Sequence, residues 1–172
     1  MGVANAVLRL ASDLLKSPSK QRGPSGSTVR HQTRQSARPG AGASTVATRE
    51  AARRISYAPN PDGDADPGEI VWTWVTFEED AQQGKDRPVL VVGRDGGDVL
   101  ALMLTSKETR DGQPGYLPLG VGSWDSQGRP SWIRLDRVLK VAANGIRREG
   151  AVLDRARFDR VASALKTGYG WA

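Results

Sequence analysis

Three apolar runs follow one another closely between residues 69 and 105, and they limit the fold more than any other feature. Glu69-Ile70-Val71-Trp72-Thr73-Trp74-Val75-Thr76-Phe77 is rich in β-branched and aromatic side chains, and a strand is expected there. Arg87-Pro88-Val89-Leu90-Val91-Val92-Gly93 is a second expected strand, short and apolar enough to be buried on both faces. Asp95-Gly96-Gly97 is a hairpin signal that leads into residues 98–105 as a third.

Residues 107–129 carry five Gly and two Pro and are expected to form a long loop, with a short strand near residues 116–119. Residues 132–141 return to a strand pattern. Ile133, Leu135 and Leu139 should face inward there, with Arg134 and Asp136 outward. A terminal helix follows, with Asp154 as N-cap and Phe158, Val161, Ala162 and Leu165 on one face. Gly168 is expected to stop it. About five short strands and one closing helix suit a mainly β fold, a small SH3-like barrel with few open edges.

The first third of the chain reads differently. Residues 1–60 contain ten Lys/Arg and two acids, a net of +8, whereas residues 61–172 contain fifteen and seventeen, a net of −2. The formal charge of +6 therefore describes the tail. Residues 1–16 have apolar spacings that permit a short amphipathic helix. Residues 17–65 are dominated by Ser, Gly, Pro, Gln, Thr, Ala and Arg, too poor in large apolar groups to offset ordering entropy. The expected division is thus a short helix, a disordered basic linker to residue 65 and a barrel over residues 66–172. A basic tail can attract nucleic acid, an acidic partner or an anionic surface, and it can equally keep a linker solvated.

Cysteine is absent, which excludes disulfides, thiolate metal sites and cysteine nucleophiles. The one histidine, His31, lies in the tail, so acid–base chemistry in the domain must use carboxylates, Lys or Tyr. No run approaches the ~18 apolar residues of a membrane helix, and no cationic segment precedes an apolar one at the N-terminus. A cytoplasmic protein is expected.

Four segments, in order, resemble the MazF/PemK toxin family, whose fold is shared with the CcdB gyrase poisons. Pro67-Gly68-Glu69-Ile70-Val71-Trp72 is similar to the family's opening strand. Gly84-Lys85-Asp86-Arg87-Pro88-Val89-Leu90-Val91-Val92 is similar to its loop and R-P-aliphatic second strand. Leu104-Thr105-Ser106 sits where the family ends its third strand with Thr or Ser. Arg134-Leu135-Asp136-Arg137-Val138 resembles the segment before its last strands.

The resemblance implies a homodimer that cleaves single-stranded RNA without metal or other cofactor and is held inactive by an antitoxin protein. It also implies functional residues at Arg87, Thr105, Arg134 and Asp136. One departure stands out: the family's loop glutamate, about five residues before the R-P arginine, is Gln82 here, with Glu78, Glu79 and Asp80 out of register.

The residues support that chemistry on their own terms. A phosphorane is an anion, so fixed cations and hydrogen-bond donors aimed at it are effective. Arg87 can offer a planar fork to phosphate, and Thr105 a hydroxyl. Arg134 and Asp136 share a strand face and can pair, leaving Asp136 as the candidate base there. Lys85, Ser106 and Trp124 are candidate substrate contacts, Trp124 as a base-stacking surface in the long loop. Each has a plainer alternative. Arg87 can be a strand-start cation, Arg134/Asp136 a surface ion pair and Thr105-Ser106 a local turn.

Two other functions remain open. One is a non-catalytic barrel that binds nucleic acid or protein. The other is a CcdB-like topoisomerase inhibitor, for which Gly170-Trp171-Ala172 is a faint match.

Overall fold

The structure is a computed structural model and describes residues 43–80 and 82–172. The expected helix over residues 1–16 and the linker residues 17–42 lie outside the described residues. Eight strands and one α-helix follow in order: β1 (Ser44–Ala47), β2 (Glu69–Thr76), β3 (Gly84–Asp95), β4 (Asp98–Thr105), β5 (Tyr116–Gly120), β6 (Ser131–Arg134), β7 (Arg137–Ala142), β8 (Ile146–Val152) and α1 (Arg155–Tyr169). Every pairing is antiparallel. The sheet runs β1-β7-β4-β3-β2-β8, with the β5–β6 hairpin branching from the far end of β4. The protein is mainly β, a small SH3-like barrel closed by a C-terminal helix.

Alternation decides the two packed layers. Val71, Val75, Val89, Val91, Val99, Ala101 and Val141 bury one face of the sheet. Ile70, Leu90, Val92, Leu100, Leu102 and Ile133 bury the other, where Phe158, Val161 and Leu165 of α1 pack on them. Residues Val89–Val92 are wholly buried because consecutive side chains enter different layers, as an apolar run without polar alternation requires. The β3–β4 hairpin turns at Gly96, whose φ of 63° suits glycine. Asp154 caps α1 by accepting from the Arg157 amide at 3.0 Å. The helix runs on through Gly168 and ends at Gly170, which takes the left-handed conformation (φ 75°). The expected stop at Gly168 is therefore two residues short.

β4 serves two partners. Residues 98–101 pair with β7, and Leu104 and Thr105 pair with β6. The strand expected over residues 132–141 is accordingly two strands. At the break, the Leu135 amide donates to the Gly115 carbonyl (2.7 Å), and the Asp136 carbonyl accepts from the Thr48 amide (3.2 Å). Both groups leave the ladder for partners elsewhere. β8 had no apolar pattern to announce it.

The linker expected to reach residue 65 does not hold for its described part. β1 pairs along β7, Ser44 opposite Lys140. Ala51 and Ile55 enter the helix-side core. The Tyr57 ring lies 5.1 Å from that of Phe158, and its hydroxyl donates to the Leu153 carbonyl (2.8 Å). The Ile55 amide donates to the Ala172 carbonyl (2.8 Å) and the Ala172 amide to the Arg53 carbonyl (3.2 Å). A few apolar side chains that reach the helix-side core fix this strap, and composition averages over them. No helix among the described residues is long and apolar enough to cross a membrane.

Candidate active site

The strand registers gather the predicted site. The β3–β4 ladder ends at Val89 opposite Met103, and Arg87 and Thr105 each lie two residues beyond that pair on their strands. Thr105 is opposite Trp132 on β6, and Arg134 on β6 is opposite Tyr116 on β5. Four strands thus present one row of side chains at one end of the barrel.

Two adjoining depressions flank this row, of about 550 and 460 Å³. Arg87, Thr105, Lys85 and Lys107 line both. Ser106, Trp124 and Arg129 line only the first, and Arg134, Tyr116, Arg110 and Glu78 only the second. Of the residues expected from sequence, Asp136 alone lines neither. Lys107, Arg129, Arg110 and Tyr116 were missed, and Glu78 was noted only as an acid out of register with the family's loop glutamate. Only Lys107, two residues beyond Thr105 on the same strand end, carried a usable hint.

The first depression is a cationic site. The charge of Arg87 pushes the Lys85 ammonium below its usual range, with burial, Lys107 and Arg129 adding to the effect. Burial also pushes the Arg87 guanidinium down, while Tyr116 opposes it. Arg87 forms no ion pair with any described residue. Arg129 is paired, its Nε donating to Asp125 Oδ2 at 2.9 Å. Thr105 is nearly buried, and its Oγ1 accepts from the Lys107 amide at 3.3 Å, which leaves its own proton to donate. Clustered cations of this kind favour an anionic ligand.

Arg134 is held differently. Its Nε donates to Asp136 Oδ1 (2.8 Å), Nη2 to Asp136 Oδ2 (3.2 Å) and Nη1 to Glu78 Oε1 (2.6 Å). The Asp136 hydrogen bond raises the arginine's proton affinity, burial opposes it, and Glu78 adds to the rise. Burial favours protonated Asp136, but the Arg134 hydrogen bond and charge prevail and hold the carboxyl below its usual range. An acid so held, and outside both depressions, is poorly suited to accept a proton from substrate.

Trp124 does not offer the expected stacking surface. Its indole is 5% exposed, donates Nε1–H to Ser131 Oγ at 3.1 Å and carries the Arg157 guanidinium 5.7 Å from its ring. The CcdB-like reading loses its feature too. Trp171 is buried, and its Nε1 donates to the Thr48 carbonyl at 3.2 Å. Among the described residues no group of three or more His, Asp or Glu is placed to hold a metal ion.

The described residues thus form a small β-barrel with a cationic cleft across one strand end. The chain belongs to the family of PemK-like, MazF-like toxins of type II toxin–antitoxin systems, whose model matches residues 66–168. Among solved structures, it is similar to a chain in the crystal structure of MazE-MazF (Form-II) from Deinococcus radiodurans. The identity is 21% and the TM-score 0.48, over 68% of this chain and 100% of that one. No curated protein matches the sequence.

Proposed function

We propose that this toxin is an endoribonuclease that cleaves single-stranded RNA by in-line attack of the substrate's 2′-hydroxyl, without a metal. The observation that carries this reading is the cluster of Lys85, Arg87 and Lys107 around the Thr105 hydroxyl in an open cleft. In the proposed reaction O2′ bonds to phosphorus and the P–O5′ bond breaks. The products are a 2′,3′-cyclic phosphate and a 5′-hydroxyl.

Arg87 holds the phosphoryl oxygens through its fork, Thr105 donates to one of them, and Lys85 and Lys107 add positive field. Ser106, beside Thr105 on the wall of the first depression, contacts the flanking nucleotide. Arg134 supplies a second guanidinium, and Asp136 positions it. The toxin acts in the cytoplasm as an isologous homodimer and is restrained by an antitoxin protein. Sedimentation at tens of micromolar tests the dimer, since an obligate dimer persists there.

The experiment that tests the reaction incubates the purified full chain with single-stranded and with structured RNA in EDTA. Cleavage of the single strand, with cyclic or 3′-phosphate ends, is the expected result. RNA binding without cleavage, in EDTA or with divalent cations restored, would leave a non-catalytic binding barrel instead.

A further inference from the structure

We propose that Tyr116 is a further catalytic residue, its phenol giving the departing 5′-oxygen the proton it needs; this rests on the nuclease reading above. An alkoxide is a poor leaving group, and proton donation to it is a standard gain for an enzyme. The described chain has neither histidine nor cysteine for the task. Asp136 is held ionised by Arg134 and lies outside the cleft, so it has no proton to give.

The fold brings Tyr116 to the reaction site. It is the cross-strand partner of Arg134 on the β5–β6 hairpin, so the two side chains share a face. The next residue, Leu117, packs into the helix-side core, which turns Tyr116 the other way, into the second depression beside Arg87, Thr105 and Arg134. Arg110 holds the ring in place, with its guanidinium 4.9 Å from the ring centroid and its Nη1 tied to Gln113 Oε1 at 2.8 Å. When ionised, Tyr116 lies near enough to Arg87 to raise that guanidinium's proton affinity. A phenolate left after donation therefore faces a guanidinium.

The step balances as follows. O2′ bonds to phosphorus and its proton passes to solvent water. The P–O5′ bond breaks with its electron pair on O5′. The Tyr116 hydroxyl proton passes to O5′, and the phenolate regains a proton from solvent.

Tyr116→Phe removes the hydroxyl and keeps the ring against Arg110. The test compares an oligonucleotide holding one ribonucleotide with its counterpart in which sulfur replaces the bridging 5′-oxygen. A thiolate leaves without a proton. On the oxygen substrate, kcat of Tyr116→Phe is expected to fall about 10²-fold, within the range of general acid catalysis, with KM unchanged. On the sulfur substrate the variant should match the wild type. Lys85→Gln and Lys107→Gln are run in parallel, because their ammonium groups are the other proton donors lining both depressions. Equal loss on both substrates, no loss on either, or sulfur rescue of Lys85→Gln or Lys107→Gln in place of Tyr116→Phe would overturn the role of Tyr116 alone. Wild-type protein that cleaves neither substrate overturns the nuclease reading and this inference with it.

Discussion

Arg134 grips Asp136 through two nitrogens at 2.8 and 3.2 Å and turns its third to Glu78. The pair is a bracket: Asp136 stands behind, and Arg134 alone of the two reaches the cleft. Asp136→Asn keeps the shape but loses the charge that fixes the guanidinium. Cleavage should fall roughly 10²-fold, the scale expected when a reacting group shifts by an ångström, with KM for RNA little changed. Steady-state kinetics on a single-site oligonucleotide would show this. Full activity in the variant would reduce the pair to a surface contact.

The same carboxylate predicts how stability varies with pH. Its proton affinity is lowered in the folded state, so its contribution is present above the ordinary carboxylate range and is lost as pH falls through its folded value. The side chain is 45% exposed, and solvent screening keeps the effect under about 1 kcal/mol. Asp136→Asn should therefore lower Tm at neutral pH, and the difference should close progressively below about pH 5. A difference that widens on acidification would contradict the assignment.

Arg87→Lys keeps the charge and discards the fork. Cleavage should fall about 10²–10³-fold, as when one donor to a developing anion is removed, while RNA affinity holds. A 2′-deoxy substitution at the cut site should abolish cleavage and leave binding intact. Cleavage of that substrate would mean that water is the nucleophile.

How much of this was legible depended on whether a signal was local. β2, β3, β4 and the N-cap Asp154 follow from apolar runs and capping chemistry within a few residues of one another, and the sequence marks them. β8 was not legible, because Ile146-Arg147-Arg148-Glu149-Gly150 reads as a charged loop and its pairing with β2 is a tertiary matter. The site divides in the same way. Arg87, Thr105 and Arg134 were singled out through the family resemblance of short local segments, whereas Tyr116 and Arg110 join them in one depression only through sheet registers and loop contacts. Trp124 misled because its loop is packed down, with the indole hydrogen-bonded inside.

The strap makes a separate test. Ile55 sits in the helix-side core at 9% exposure, so Ile55→Ala should cost about 2–4 kcal/mol. Removing residues 1–61 should cost more, since it strips β1 from β7 and uncovers Phe158 and Trp171. Thermal or urea unfolding measures both. An unchanged midpoint after either change would show that the strap is dispensable.

The pairing of β1 with β7, near the opposite end of the described chain, also governs the order of folding. β2, β3 and β4 are successive hairpins whose contacts close short loops, so they can form early. β1–β7 and β2–β8 must wait for distant segments to meet, a search that slows folding. Hydrogen exchange should reflect that order, with the amides of β3 and β4 the slowest to exchange. Those of residues 44–57 should open first, through a local detachment that leaves the rest of the sheet paired.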